Sequence, residues 1–223
     1  QTNDESMDRY NQSYQRRLFS SMFNARLREL TNKPDAPFSY SWARIGSIFT
    51  RTKSGFSMSA IAREGQTQQA YERMVHEIER VRRSGFKESE LKRVIKDYQA
   101  SLEAQVREAK TTESRRYLSG LQNHFLKGSP FTDAEWRLQH FLEFKTQVNI
   151  EQINALAGDW LGTDNTVIIM TGPEGQEQPD EGHVMEYWKN ASSMQVEDYE
   201  DNELPDQLMN EIPKTGRSTI AKP

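Results

Sequence analysis

The chain has 223 residues, of which 35% are hydrophobic and 28% charged, and its formal net charge is −4. It contains no cysteine, which excludes disulfide bonds, thiolate catalysis and cysteine-ligated zinc. No apolar run approaches the roughly 18 residues of a membrane-spanning helix, the first residues show no signal-peptide pattern, and no basic stripe suited to nucleic-acid binding is present.

Charge is distributed unevenly along the chain. Residues 1–171 carry 25 Lys+Arg and 21 Asp+Glu, whereas residues 172–223 carry 4 and 12. The C-terminal part is also rich in proline and poor in apolar residues, a composition that favours an extended linker over a second core. We therefore expect a folded domain over 1–172 and an acidic extended linker over 173–223, with one short helix around HVMEYWKNA.

The first elements predicted are one helix and a β-hairpin. Apolar residues at spacings of three and four, from Leu18 to Leu30, predict a helix that ends where Asn32 and Pro34 interrupt the pattern. Apolar residues then alternate with small polar ones in PFSYSWARIGSIF and in SGFSMSAIARE, which is typical of two strands with one buried face. The intervening TRTKSG is long enough for a hairpin loop.

Helical periodicity then returns and continues through most of the domain. It predicts a helix over about 66–84 and another from Lys87 to Val106, whose apolar stripe lapses at KTTESRR and then resumes. Two further helices open at the candidate caps Thr132 and Asn149. The following NTVIIMTG reads as a buried strand. The predicted fold class is therefore α+β, with helices packed on one face of a thin sheet.

The pentapeptide HEIER, from His76 to Arg80, is one residue short of the H-x-x-E-H signature of certain zinc peptidases. A second histidine ligand would stand at position 80, but Arg80 is a permanent cation without a lone pair for a metal. Both residues also lie opposite the apolar stripe of Ala70, Met74 and Ile78. The pattern predicts a solvated polar face and no zinc site.

No other motif supplies a catalytic centre. His124, His140 and His183 lack a partner three or four residues away that would close a metal site. No G-x-S-x-G elbow is present, and GSIFTRTKSG lacks the glycine and lysine spacing of a phosphate loop. A small-molecule enzyme on this scaffold therefore has no supporting set of residues.

Four segments, in order, carry a family resemblance: RLFSSMFNARLREL, PDAPFSYSWARIGSIF, RTKSGFSMSAIAREG and ERMVHEIERVRRSGFKESELKRVIKDYQASLEAQ. Together they resemble the pitrilysin/insulinase family of zinc metallopeptidases, the inverzincins. They are most similar to the non-catalytic second domain of the N-terminal half of those proteins. The resemblance runs from about Tyr14 to Gly172 and continues through NEIPKTG.

This resemblance implies the mitochondrial-processing-peptidase-like metallohydrolase fold, an antiparallel or mixed sheet with helices packed on one face, here lacking its opening strand. It implies that zinc is bound by the first domain of the parent protein, while this chain holds no catalytic residue, metal ligand or cofactor. The implied function is to form a wall of the substrate chamber of a zinc-dependent endopeptidase and to bind unfolded peptide. The hairpin edge is expected to offer that peptide a strand.

The implied partners are the catalytic domain and the C-terminal half of the same protein, together with unfolded peptide substrate. The implied location is periplasmic or secreted. A second interpretation stays open, in which the chain is a stand-alone, non-catalytic interaction subunit that partners a separate catalytic peptidase chain. Such a subunit would need its own opening strand and would have no need of the long acidic tail, so both features favour the domain of a larger protein.

The resemblance also bears on single residues. HEIER lies on a helix pair that resembles the later pair of the family's catalytic domain, the one that bears the third zinc ligand. The histidine motif of the family lies on an earlier helix, so HEIER is not a degenerate copy of that motif. Asp97 falls near the position of the third zinc ligand, but without two histidines it binds no metal. The C-terminal half of the family contributes an arginine and a tyrosine that contact substrate. Arg28 and Tyr40, twelve residues apart in comparable segments, are the candidate substrate-contacting residues here.

Overall fold

The structure, a computed structural model, describes residues 2–48, 50, 53–127, 130–175 and 178–201. Within these ranges the chain forms seven α-helices and one antiparallel hairpin. The elements are α1 Thr2–Thr31, β1 Phe38–Ser47, β2 Ser54–Ala62, α2 Thr67–Ser84, α3 Glu88–Glu108, α4 Ser114–Lys127, α5 Ala134–Phe144, α6 Ile150–Trp160 and α7 Glu181–Asn190. No helix in the described ranges combines the length and the apolarity that crossing a bilayer requires.

Helix α1 is the centre of the core. Its side chains Leu18, Phe19, Met22, Phe23 and Leu27 have no exposed surface. They occupy about half of the helix circumference, because the hairpin, α3 and α6 all pack against α1. The predicted first helix and its end near residue 31 are confirmed, and the helix begins further upstream than its apolar stripe indicates.

The predicted hairpin is confirmed, but the buried face predicted for β1 from the alternation of Phe38, Tyr40 and Trp42 is wrong, because Tyr40 and Trp42 are exposed while Ser41 and Ala43 are buried. An irregularity in the register between Phe38 and Tyr40 shifts the alternation, so Phe38 is buried although Tyr40 points outward. Strands β1 and β2 pair from Phe38 opposite Ala62 to Ser47 opposite Ser54. Phe38 and Ala43 point inward and are buried in the core that α1 dominates. The α+β fold class, with helices packed on one face of an antiparallel sheet, is therefore confirmed.

The outer edge of β1 is held by side chains of α1. Nδ2 of Asn24 donates to the carbonyl of Ala43 at 2.7 Å, and the Ala43 N–H donates to Oδ1 of Asn24 at 2.8 Å. The N–H of Ile45 donates to Oγ of Ser20 at 3.3 Å. The Asn24 carboxamide thus takes the place of a neighbouring strand, so this edge of β1 cannot accept another strand at Ala43.

The predicted helices after the hairpin are all present, and one predicted cap is wrong. Helix α5 is capped by Asp133, whose Oδ1 accepts a hydrogen bond from the Trp136 N–H at 2.7 Å, and not by Thr132. The predicted cap Asn149 is confirmed, since its Oδ1 accepts from the Gln152 N–H at 2.9 Å. A carboxylate at the first turn also complements the partial positive charge there, which favours Asp133 over its neutral neighbour.

The prediction of a buried strand in NTVIIMTG is wrong. Among the described residues, 166–171 join no strand ladder, and Val167 and Ile169 are 69% and 71% exposed. Ile168 and Met170 pack instead against a small cluster beside α2. Exposed and packed side chains therefore alternate along this segment, as in a strand with one buried face. The continuous apolar run in the sequence predicted burial on both faces, and the structure shows burial on one. We call residues 166–171 the unpaired segment.

Part of the predicted linker is folded on the domain. Helix α7 covers the position where one short helix is expected, and its Val184 is buried. The hydroxyl of Tyr71 in α2 donates to the Val184 carbonyl at 2.8 Å, and burial raises the pKa of Tyr71 to about 12. Residues 202–223 lie outside the described residues, and the domain boundary at 172 stays a prediction.

Candidate peptide-binding face

HEIER lies on α2, but the prediction that it forms a solvated face is wrong. Glu77 and Glu79 are only 1% and 2% exposed. Each is paired along the helix: Arg80 donates to Glu77 at 2.6 Å, and Arg82 donates to Glu79 at 2.5 Å. Helical periodicity identifies the apolar face of a helix, but it does not reveal that another segment covers the polar face as well.

Arg26 of α1 joins the buried acids of α2 and α3. Its Nε and Nη2 donate to the two carboxylate oxygens of Glu90 at 2.8 and 2.7 Å, and Nη2 also donates to the Gly85 carbonyl at 2.8 Å. Oε1 of Glu77 lies 3.8 Å from Nη1 of Arg26. Burial raises the pKa of Glu77, while Arg80 and Arg26 oppose that shift. The Nε and Nη2 donors of Arg26 are thus matched by carboxylate and carbonyl oxygens, which lowers the cost of burying the guanidinium, whereas Nη1 has no hydrogen-bond partner among the described residues.

Residues 191–201, which we call the strap, cover this side of α2 and α3. The guanidinium of Arg83 donates to three strap carbonyls, those of Ala191, Ser192 and Met194. Further along, Arg93 of α3 donates to both carboxylate oxygens of Asp201, at 2.8 and 3.0 Å. Burial alone would raise the pKa of Asp201, but the hydrogen bonds from Arg93 and Ser89 outweigh burial and hold the pKa below its ordinary value.

Tyr199 closes the strap over the buried ion pair. Its ring lies over the guanidinium of Arg26, 4.1 Å from ring centroid to Cζ, and its hydroxyl donates to Glu29 at 2.7 Å. A cation held against an aromatic face is stabilised by the ring quadrupole. The strap therefore covers the polar side of α2, as the hairpin covers the apolar side of α1.

The zinc implied by the family resemblance has no ligand set among the described residues. No group of three His, Asp and Glu side chains that could hold a metal forms there. In HEIER, Glu79 is engaged by Arg82, and Arg80 stands where the second histidine of the signature would be. Burial, together with the nearby Arg80, lowers the pKa of His76. These residues do not fit zinc, and the location of zinc in the parent protein stays a prediction.

An open cleft of about 390 Å³ lies beside HEIER, between the end of α1, the start of α2 and α7. Its rim carries Lys33 and Arg73 together with Asp35 and Glu72. Because positive and negative side chains alternate around the opening, the cleft favours no single class of charged ligand.

Exposed apolar side chains lie on the face of the hairpin that points away from α1 and on the unpaired segment. Tyr40, Trp42 and Ile61 of the hairpin are 57%, 37% and 55% exposed, and Val167 and Ile169 of the unpaired segment are still more exposed. The rings of Tyr40 and Trp42 lie 5.3 Å apart. We call these five side chains the open face. Tyr40 also lies opposite Ile61 in the hairpin, and neighbouring exposed apolar groups of this kind mark binding surfaces.

Helix α2 underlies both parts of the open face. Strand β2 packs on α2, and Tyr71 and Val75 of α2 pack against Ile168 and Met170 of the unpaired segment. Strand β2 and the unpaired segment therefore both pack on α2. Within the described residues, β2 has a strand neighbour on one side only and the unpaired segment has none. Backbone donors and acceptors of these two segments are thus available to an extended chain.

The two candidate substrate-contacting residues have different surroundings. Arg28 is exposed in the last turn of α1, and Tyr40 is exposed on the open face. Strand β1 packs on α1 through its inner face, whereas Tyr40 points outward. No hydrogen bond or ring contact joins these two described side chains, and their role with substrate stays a prediction. Asp97, near the position of the family's third ligand, is exposed on α3.

No protein-family model and no curated protein sequence matches the chain. Several solved structures match it. The periplasmic protease PqqL from Escherichia coli matches with a TM-score of 0.73 and 15% identity over 92% of this chain and 23% of PqqL. The first half of PqqL matches with a TM-score of 0.69 and 15% identity over 87% of this chain and 42% of that half.

A third solved structure, described as a predicted insulinase family protease from Yersinia pestis, matches with a TM-score of 0.70. The identity is 10%, over 83% of this chain and 40% of that one. The chain thus has the fold of a pitrilysin/insulinase-like protease domain, as its sequence predicts. It spans less than half the length of each of these structures.

Proposed function

We propose that this chain is the non-catalytic second domain of a zinc-dependent endopeptidase, that it forms part of the wall of the substrate chamber, and that its open face binds unfolded peptide. The observation that carries this proposal is the open face, whose exposed apolar side chains lie on the hairpin and on the unpaired segment, next to backbone that has no strand neighbour in the described residues. An extended peptide adds a strand to such an edge and lays alternate side chains against the apolar surface.

In this proposal the chemistry belongs to other parts of the parent protein. Zinc is held by the catalytic domain, and the partners of this chain are that domain and the C-terminal half of the same polypeptide. The match to the first half of PqqL supports this arrangement, and PqqL's description as a periplasmic protease supports a periplasmic or secreted location.

Peptide binding to the open face is testable with the 223-residue chain. The probe is a fluorescein-labelled, unstructured peptide with alternating apolar residues, and the measurement is its fluorescence anisotropy. Ile61→Ser and Val167→Ser are each expected to weaken binding about tenfold, because each removes a branched apolar side chain from the contact.

The matched control is Leu126→Ser on α4, because Leu126 and Ile61 are 56% and 55% exposed. This control is expected to leave the affinity for the peptide unchanged. Equal losses in all three variants would show non-specific apolar adsorption and would contradict peptide binding at the open face.

The non-catalytic assignment is tested by elemental analysis for zinc on the purified chain, alongside a peptide-cleavage assay. We expect no stoichiometric zinc and no cleavage, since water activation by zinc needs a ligand set. Bound zinc with chelator-sensitive cleavage would contradict the assignment. For the candidate pair, an unchanged rate of peptide hydrolysis by the full-length parent protein carrying Arg28→Ala would remove Arg28 from the substrate site.

A further inference from the structure

Helix α4 carries an apolar stripe that lies in solvent. Tyr117, Leu118, Leu121 and Phe125 are 43%, 58%, 47% and 86% exposed. At about 100° per residue they fall within an arc of about 100° on one side of the helix. We call these four side chains the α4 stripe.

The stripe is not part of the core already described. Apart from Gly120, whose backbone is approached closely by the ring of Phe131, the described side chains of α4 are exposed along the whole helix. The Tyr117 hydroxyl bonds only locally, to the Ala109 carbonyl. An amphipathic helix with its apolar side in water is typical of a surface that another segment covers.

We propose that residues 202–212 of this same chain, NELPDQLMNEI, cover the α4 stripe. Their apolar residues Leu204, Leu208 and Ile212 recur every fourth position, with Met209 beside them. This spacing matches the row of apolar side chains along a helix surface. The proposal is independent of the function proposed for the open face.

Charge complementarity supports this occupant over another apolar segment. Residues 202–212 carry Glu203, Asp206 and Glu211 and no Lys or Arg. Residues 107–127, which contain α4 and the turn before it, carry five Lys+Arg and two Asp+Glu. An acidic segment on a basic helix gains attraction in addition to apolar burial.

The strap runs along α3 in the direction of α4. Asp198 accepts from Ser84 at the end of α2, and three residues later Asp201 accepts from Arg93 in α3. The chain is therefore travelling along α3 toward its C-terminal end, which leads into α4. The distance from Arg93 to Glu108 along α3 is about 22 Å at the rise of an α-helix. Eleven further residues span up to about 36 Å, which is sufficient to reach the α4 stripe.

The strap, which directly precedes residues 202–212, already docks on the domain through interactions of the same kind. There, acidic and aromatic side chains already bind arginines of α2 and α3. The proposed contact continues that interface onto the next helix of the chain.

Because the chain has no cysteine, disulfide trapping gives a direct test. The full chain carrying Leu121→Cys with Leu208→Cys is oxidised, and the intramolecular disulfide is measured by mass spectrometry. The matched control pairs Asn123→Cys with Leu208→Cys, since residue 123 lies about 160° around the helix from residue 121. We expect the first pair to cross-link at least about tenfold faster than the control.

Equal cross-linking rates for the two pairs would overturn the proposal. A disulfide-linked dimer of the single variant Leu121→Cys, formed faster than that of Asn123→Cys, would also overturn it, because the occupant would then be a second copy of the chain.

Hydrogen exchange of the α4 amides tests the same contact without depending on disulfide geometry. Leu208→Asp in the full chain is expected to speed exchange in α4 about tenfold, whereas Gln207→Asp, which adds the same charge next to it, is expected to change it little. Unchanged exchange in Leu208→Asp would mean that another surface, such as a neighbouring domain, covers the stripe, and would overturn the proposal.

Discussion

The covered side of α2 and the open face differ in what they bury. On the covered side, Arg26, Glu77 and Glu90 are buried although they are charged. On the open face, Trp42 and Ile169 are exposed although they are apolar. The charged groups are buried together because Arg26 donates to both carboxylate oxygens of Glu90 and lies 3.8 Å from Glu77, which also accepts from Arg80. The apolar groups are exposed because no described segment lies against them.

The covered side of α2 is therefore suited to stabilising the fold, and the open face is suited to binding a partner. A matched buried ion pair fixes how three helices meet, and it leaves few groups to recognise a partner. An exposed apolar face with unpaired backbone stabilises the domain little, but it offers both of the interactions that an extended peptide needs. Substitutions on the covered side should therefore change the free energy of unfolding, and those on the open face should change binding.

The largest effect is expected for Arg26→Ala. It leaves the buried carboxylate of Glu90 without its cation and removes one of the two cations beside Glu77, so the free energy of unfolding should fall by about 3–5 kcal/mol. Urea unfolding measures this change. The control is Arg28→Ala, two residues along the same helix but exposed, which should change the free energy by less than about 0.5 kcal/mol. Similar losses in the two variants would contradict a special role of the buried ion pair, because alanine is the best helix former and propensity alone would cost neither variant stability.

Asn24→Ala should have the next largest effect. It removes both hydrogen bonds to the Ala43 backbone and leaves a partly buried strand edge unsatisfied, at a cost of about 1–3 kcal/mol. Asn123→Ala on α4 is the matched control, because its amide only donates to the Ser119 carbonyl in an exposed turn. If both substitutions cost the same, the strand edge is satisfied by water and the Asn24 bonds add little.

Tyr199→Ala should loosen the strap. The loss of the ring over Arg26 is expected to cost about 1–2 kcal/mol in urea unfolding. Tyr199→Phe keeps the ring and removes only the bond to Glu29, so it should retain most of that free energy. A loss in Tyr199→Phe equal to that in Tyr199→Ala would assign the stabilisation to the hydroxyl.

The smallest effect is a pH dependence at the end of the strap. The pKa of Asp201 is held below its ordinary value, so its contact stabilises the fold above that ordinary pKa and is lost as pH falls through the lower folded value. The difference in unfolding free energy between wild type and Asp201→Asn should therefore be constant near neutral pH and shrink in acid. The exposed Asp97→Asn on α3, the helix that Asp201 contacts, corrects for general loss of a carboxylate. A difference that grows in acid would have the wrong sign for this contact.

The sequence by itself determined the local structure. The apolar stripe from Leu18 to Leu30, the two alternating strands and the cap Asn149 each follow from interactions within a few residues, and all three predictions are confirmed. The series of segments that resembles pitrilysin/insulinase proteins also indicated the fold that the solved structures support.

Tertiary structure alone decided which surfaces are covered. Two acids of HEIER became buried because distant residues cover this side of α2: Arg80 bonds the carbonyl of Glu197, 117 positions away, and Arg26 of α1 lies 3.8 Å from Glu77. The unpaired segment became exposed because no described strand lies beside it. Periodicity records which side of an element is apolar, whereas burial depends on what distant segment packs there, and a spacing of three or four residues does not encode that contact.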